Sequence, residues 1–131
     1  MELKSLPQDM QAVADHHGHV CFGVLLGYKA CKYAVDIIGE SENITVVAES
    51  QGCGNDAIRV LLNCNEDNGK LTVKNTRKPS WSFYNRDDDE GVTLTINPVM
   101  QSQLPKDREQ AMHSILEMPN HLLFKVEPYA G

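Results

Sequence analysis

Three histidines and a cysteine fall within the six residues His16-His17-Gly18-His19-Val20-Cys21, directly after Asp15. Imidazole and thiolate together suit zinc or a neighbouring late first-row metal, whereas magnesium and calcium take oxygen donors. His17, His19 and Cys21 are spaced i, i+2, i+4, so an extended segment puts all three on one side. A helix would keep His17 and Cys21 on one face and send His19 elsewhere. Gly18 permits an irregular backbone between them, so several geometries can converge. His16 is read as pointing away and orienting nothing. The competing reading of the segment is a polar helix start with capping histidines.

A second segment, Gln51-Gly52-Cys53-Gly54-Asn55-Asp56, places a cysteine between two glycines just ahead of an expected helix. Backbone N–H groups and the helix dipole favour a thiolate there, and the glycines let another group approach closely. Cys64 is eleven residues further on. In a continuous helix its sulfur would lie roughly 16 Å from that of Cys53, at 1.5 Å per residue, too far to share one metal ion. Cys64 is therefore a weaker candidate for the same groove. Cys31 falls in an apolar stripe and reads as a packing residue. Lys78 and Tyr84 flank an expected strand and could donate to an oxyanion or orient a substrate with Asp56. His113 and His121 stand alone and read as surface or structurally satisfied histidines. The run Asp87-Asp88-Asp89-Glu90 lacks the alternation of a calcium loop and reads as a solvated hairpin tip.

The elements that must position these groups follow from periodicity. Residues 7–16 predict a short helix begun by Pro7, with Met10, Val13 and Ala14 on one side. A longer helix is expected from about His19 to Ile38. Its Val20, Val24, Tyr28, Cys31, Val35 and Ile38 recur at helical spacing, and Leu25, Leu26, Ala30, Ala34 and Ile37 widen the apolar face. Lys29, Lys32 and Asp36 are its wet stripe. Such a helix is buried on more than one side, which suggests central packing and a dimer contact. Gly39 closes it. Ile44 to Ala48 reads as a strand, Asn55 or Asp56 caps a helix through Leu62, and Lys70 to Lys74 forms another strand. Trp81 to Tyr84 and Val92 to Ile96 make a hairpin. A helix over 107–118 and a strand over 122–126 complete the order. Helices first, then strand–helix–strand, then a meander predict an α+β fold: a long buried N-terminal helix packed on a mixed, largely antiparallel sheet.

Composition bounds the function. The 131 residues amount to one domain, 1–131. Eighteen acidic and twelve basic residues give a net charge of −6. No basic cluster exceeds Arg77-Lys78, which disfavours nucleic acid as a partner. The apolar stretch from Val20 to Ile38 is broken by Lys29, Lys32 and Asp36, and no signal-peptide pattern opens the chain, so a soluble, cytoplasmic protein without a membrane partner is expected. Four cysteines with no C-x-x-C pair argue against a disulfide scaffold, a zinc ribbon or a dithiol redox motif.

The stretch His17-Gly18-His19-Val20-Cys21-Phe22-Gly23-Val24-Leu25-Leu26-Gly27-Tyr28-Lys29-Ala30 resembles the His-Gly-His-x-Cys-Pro-Gly…Gly-Tyr-Arg-Ala signature of the formylmethanofuran dehydrogenase E-subunit family. Cys53-Gly54-Asn55-Asp56-Ala57-Ile58-Arg59 is similar to that family's Cys-x-x-Asp-Ala-Ile-Gln. Cys64 matches its next cysteine, Asn68-Gly69-Lys70-Leu71 its glycine–lysine turn, and Trp81 to Arg86 its aromatic strand. The family's proline after the first cysteine is Phe22 here, and the residues around its next cysteine are Asn63 and Asn65. The resemblance spans about residues 13–97. It implies an α+β domain, commonly paired as a homodimer, with a metal-binding or cysteine-lined groove. With no cysteine after Cys64, the C-terminal zinc finger of some members is not expected. In the large dehydrogenase the redox chemistry belongs to the molybdenum or tungsten cofactor of other subunits.

The leading expectation is therefore a metal-binding protein of anaerobic one-carbon metabolism, accessory to oxidoreductase subunits or a small metal-dependent enzyme. One transition metal, zinc foremost, is assigned to His17, His19, Cys21 and Cys53. The alternatives are a metal carrier or sensor without catalysis, and a metal-free thiol enzyme with Cys53 as nucleophile and His17 or His19 as base.

Overall fold

The computed structural model describes residues 6–131. Helix α1 (Gln8–His17) is followed by α2 (Phe22–Ile38), strand β1 (Ile44–Ala48), α3 (Asn55–Leu61), β2 (Leu71–Val73), β3 (Ser80–Asn85) and β4 (Glu90–Ile96). A 3-10 helix (Pro98–Gln103), α4 (Arg108–Glu117), α5 (Asn120–Leu123) and β5 (Phe124–Pro128) complete the order. The sheet runs β2-β1-β3-β4-β5; β1 and β2 are parallel and every other pair is antiparallel. The fold is α+β with a mixed, largely antiparallel sheet, as the element order predicted.

Strand alternation sorts the sheet into two faces. Val46, Phe83 and Val92 stand in one cross-strand row and Ala48, Trp81 and Leu94 in another, all buried. Their neighbours Thr45, Tyr84, Ser82 and Thr93 belong to the opposite face, where Ser82 and Thr93 hydroxyls bond at 2.8 Å. Helix α2 lies against the apolar face over β3 and β4. Leu25, Val24, Ala30 and Ala34 are completely buried beneath it, and each side chain of the size of leucine contributes about 1.5–3 kcal/mol on leaving water.

The long helix starts three residues later than its apolar periodicity suggests. Gly18 adopts φ 100°, closing α1 at His17, and Cys21 is extended at φ −139°. The metal-ligand segment is therefore the corner between two helices, which a continuous helix from His19 would have erased. The second apolar side of α2 also finds its cover inside the chain, because α1, α3 and α4 all pack on it. The expectation of a dimer contact on that helix loses its motive. Its polar stripe joins these neighbours: Lys29 Nζ donates to the carbonyls of Leu116 and Met118 at the end of α4, while Lys32 and the Tyr28 hydroxyl reach Asp9 on α1.

Helices α2 and α3 touch backbone to backbone. A Cβ added at Gly27 would lie 2.5 Å from Gly54 Cα and nearer still to the Gly54 carbonyl oxygen. Only glycine permits that approach, and it brings the loop before α3 against the first turns of α2. At the other end of α2, buried Asn85 donates to the Ile38 carbonyl at 2.9 Å and accepts from Asp87 N–H at 3.0 Å. That asparagine ties the helix end to the acidic hairpin tip, which is exposed as expected. At the chain's other end, the strand expected over 122–126 begins at Phe124, since residues 120–123 make the last turn of helix.

Candidate metal centre

His17 is the last residue of α1 and Cys21 precedes the first residue of α2, with exposed His19 in the turn between them. One ligand atom from each of His17, His19 and Cys21 falls within 4.8 Å of the others. Cys21 Sγ lies 3.8 Å from His17 Nε2, and the two imidazole centroids are 4.6 Å apart. Tetrahedral zinc bonds to nitrogen and sulfur imply a ligand–ligand separation of about 3.5 Å. The three groups thus stand at the spacing of a metal's ligand shell, slightly opened.

Behind His17 stands Asp56, from the first turn of α3. Its Oδ2 is 2.7 Å from His17 Nδ1, leaving Nε2 turned toward Cys21. With Nδ1 protonated, that carboxylate fixes the tautomer in which Nε2 is free to bind a metal, the arrangement in which carboxylates orient ligating histidines. Arg59 holds the carboxylate in turn, bonding Asp56 Oδ1 at 2.9 Å while its other nitrogens reach Glu66. Burial pushes the Asp56 carboxyl upward, but the hydrogen bonds from His17 and Arg59 outweigh it and hold the pKa below the usual aspartate value. The residue stays ionised, as its role requires. His16 is not idle either: its Nε2 lies 3.7 Å from Asp56 Oδ1.

Cys53 is beside this cluster rather than within it. Its Cβ is 3.1 Å from where a Cβ on Gly23 would be, so it packs on the first turn of α2, close behind Cys21 in the fold. The loop carrying it is held by Asn55, whose Nδ2 donates to the Ser50 carbonyl at 3.0 Å and whose Oδ1 accepts from Trp81 Nε1 at 3.1 Å. The thiolate expected from the helix N-terminus does not prevail. Burial, then the hydrogen bond and charge of Cys21, push the Cys53 thiol upward. A seven-residue helix supplies too little field to reverse a neighbouring sulfur and lost solvation.

Three other candidates lie away from the cluster. Cys64 is completely buried, beyond the end of α3, and its thiol donates to the Ile44 carbonyl at 3.1 Å. Burial raises its pKa, as it does for Cys31, so both behave as packing residues. Tyr84 sits on the sheet face opposite α2, against Tyr129. Lys78 lies on the exposed loop before β3, where its N–H meets Thr76 Oγ1 at 3.4 Å. The hydrogen bonds among the described residues bring neither to the His/Cys corner. His113 and His121 are exposed.

Accessibility separates the cysteines by experiment. In native, metal-free protein, iodoacetamide should modify Cys21 and Cys53, both half-buried, and leave Cys31 and Cys64 untouched until urea unfolds the chain. Mass-spectrometric peptide mapping reads the order. Early labelling of Cys31 or Cys64 would contradict the packing of the core around α2 and β1.

A family model described as "FmdE, Molybdenum formylmethanofuran dehydrogenase operon" matches residues 16–125. A protein of Archaeoglobus fulgidus described as a probable S-adenosyl-L-methionine-binding protein is 26% identical over 91 residues, 63% of this chain and 25% of its own. The chain thus spans about a quarter of that curated relative's length. Among solved structures, a tungsten formylmethanofuran dehydrogenase FmdE-like protein from Syntrophus aciditrophicus matches with a TM-score of 0.78 at 21% identity, over 99% of this chain and 76% of that one. That likeness is one of fold.

Proposed function

The chain belongs to the FmdE family, and from that premise we propose that it is a metal-binding FmdE-like protein, residues 1–131 forming one such domain, that acts in or beside anaerobic one-carbon oxidoreductases. The observation that carries this is the His17/His19/Cys21 corner with Asp56 seated behind His17. A bystander histidine does not need a carboxylate that an arginine holds in place. Two nitrogens and one sulfur fit zinc, and Cys53, whose loop packs on the first turn of α2, is the proposed fourth ligand. In that closed form the protein is a carrier or sensor. With Cys53 turned away, a fourth position is open, and the metal would supply Lewis acidity or an activated water. Oxidoreductase subunits are its proposed partners, homodimerisation its proposed assembly and the cytoplasm its place. Among the described residues no helix is long and apolar enough to cross a membrane.

Elemental analysis of protein purified without added metal tests the reading directly. About one zinc per chain is expected; a metal-free protein that takes up none on titration sinks it. Asp56→Asn should retain the stoichiometry but weaken affinity roughly 10–100-fold, the usual cost of losing a ligand's outer partner. Competition with a chromophoric chelator measures it, and an unchanged affinity would detach Asp56 from the site.

One observation favours a second reading. Cys21, His17 and Asp56 line up at 3.8 Å and 2.7 Å as nucleophile, base and orienting acid. A thiol enzyme on this chain would therefore use Cys21, not Cys53, as the attacking sulfur. Stoichiometric inactivation of a metal-free enzyme by alkylation at Cys21 would support it.

A further inference from the structure

The five-stranded sheet has two edges. β2 is three residues long, whereas β5 runs Phe124–Pro128 and all but Phe124 is exposed. The β4–β5 ladder shows which backbone groups are spent. Asn97 N–H donates to the Leu123 carbonyl and Tyr129 N–H to the Gly91 carbonyl, so residues 123, 125, 127 and 129 face β4. By antiparallel alternation, the N–H and C=O of Phe124 and Val126 and the C=O of Pro128 point outward. The proline stands where its missing N–H costs the β4 ladder nothing. Among the described residues, three of the four exposed large hydrophobics, Val99, Leu122 and Val126, lie on this strand or beside it; Asn97 Nδ2 reaches the Leu122 carbonyl at 3.4 Å and its Oδ1 the Val99 N–H at 3.1 Å.

The geometry points to β5 as the surface on which two copies of this chain pair, antiparallel about a two-fold axis through Val126. This deepens the homodimer of the proposed function and rests on it. A two-fold centred there sets Val126 against Val126 and Phe124 against Pro128. Each Val126 N–H then meets the other's carbonyl, and each Phe124 N–H meets a Pro128 carbonyl. Every outward donor is used, because proline has none to leave stranded. The same register sets Lys125 directly opposite Glu127, twice, at the closely spaced non-hydrogen-bonded positions. A lone edge lysine blunts a strand against aggregation; a lysine opposite a glutamate in one register selects that register and no other. An interface that is its own complement closes at two copies rather than growing.

Sedimentation velocity over a wide concentration series tests this with the full chain. The wild type should dimerise. Val126→Pro removes an outward donor that β4 does not use, so a folded variant, checked by circular dichroism, should stay monomeric. Lys125→Glu and Glu127→Lys should each weaken pairing by roughly tenfold through two like-charge contacts, and the two together should restore it. A wild type that remains monomeric at the highest concentration overturns both the pairing and this surface. A dimer indifferent to Val126→Pro and to either charge reversal, or one that the double reversal fails to restore, overturns the β5 register while leaving the homodimer standing.

Discussion

A variant carrying His19→Ala and Cys21→Ser should retain no stoichiometric metal, while its fold should survive. His19 is exposed in the corner between α1 and α2, and Cys21 is only half-buried, so neither substitution leaves a cavity in the core. Each removes one donor from a three-atom cluster. His17 with Cys53 alone cannot compete with water for a transition metal at the affinity of a structural zinc site, whose binding is worth about 10–16 kcal/mol. Loss of two of the ligands should raise the dissociation constant by at least about a thousandfold. Elemental analysis after gel filtration gives the stoichiometry, and thermal melting in chelator gives the fold. Full metal retention in a folded double variant would show that the corner is not the site.

Gly27→Ala should be strongly destabilising for a single added methyl. The added carbon would have to enter the Gly54 backbone, which cannot rotate away as a side chain would. Helix propensity works the other way, since alanine is favoured over glycine in a helix interior by up to about 1 kcal/mol. Overpacking against fixed backbone wins, and the net loss should be about 2–3 kcal/mol. Gly54→Ala should behave alike, because its methyl meets Trp81 and Gly23 on two sides. Gly52→Ala is the control: nothing lies within 4 Å of its Cβ, so a change within about 0.5 kcal/mol is expected. Urea unfolding monitored at Trp81 measures all three. The Gly27 variant should also weaken metal binding, since parting α2 from α3 moves Asp56 and Cys53 away from the corner that α1 and α2 form. A Gly27→Ala protein as stable as the wild type would mean that the helices already stand further apart.

The elements were largely legible, for a simple reason. Apolar spacing in α2, β-branched runs in β1 and alternation in β4 are local patterns, and each maps onto one face of one element. The same locality made the ligands legible. His17, His19 and Cys21 lie within five residues, so almost any backbone with a break at Gly18 brings their donors within reach of a single ion. Relations across the chain are another matter. Asp56 is 39 residues from His17, and the sequence around it reads as a helix cap; the packing of α3 against α1 and α2 brings its carboxylate onto the imidazole. The recurrence of Asp-Ala-Ile after the second cysteine in the FmdE-like pattern was the one signal that Asp56 belonged with the histidines.

The remaining candidates divide by packing, which residue type does not encode. Tyr84 and Phe83 are neighbours in sequence, yet the pleat sends one to the solvent face and the other into the core beneath α2. Cys53 and Cys64 are both cysteines near α3, but the end of that helix at Leu61 turns the second into the interior toward Ile44. Composition and spacing alone determined that this protein is an α+β domain with a histidine- and cysteine-rich corner suited to a late first-row metal. Tertiary structure alone decided which carboxylate orients that corner and which cysteine stands beside it. It also spent the second apolar side of α2 within the chain. The physical reason is range: hydrophobic periodicity and ligand spacing act over a few residues, whereas the choice between two faces of a sheet or two ends of a helix is made only when the elements meet.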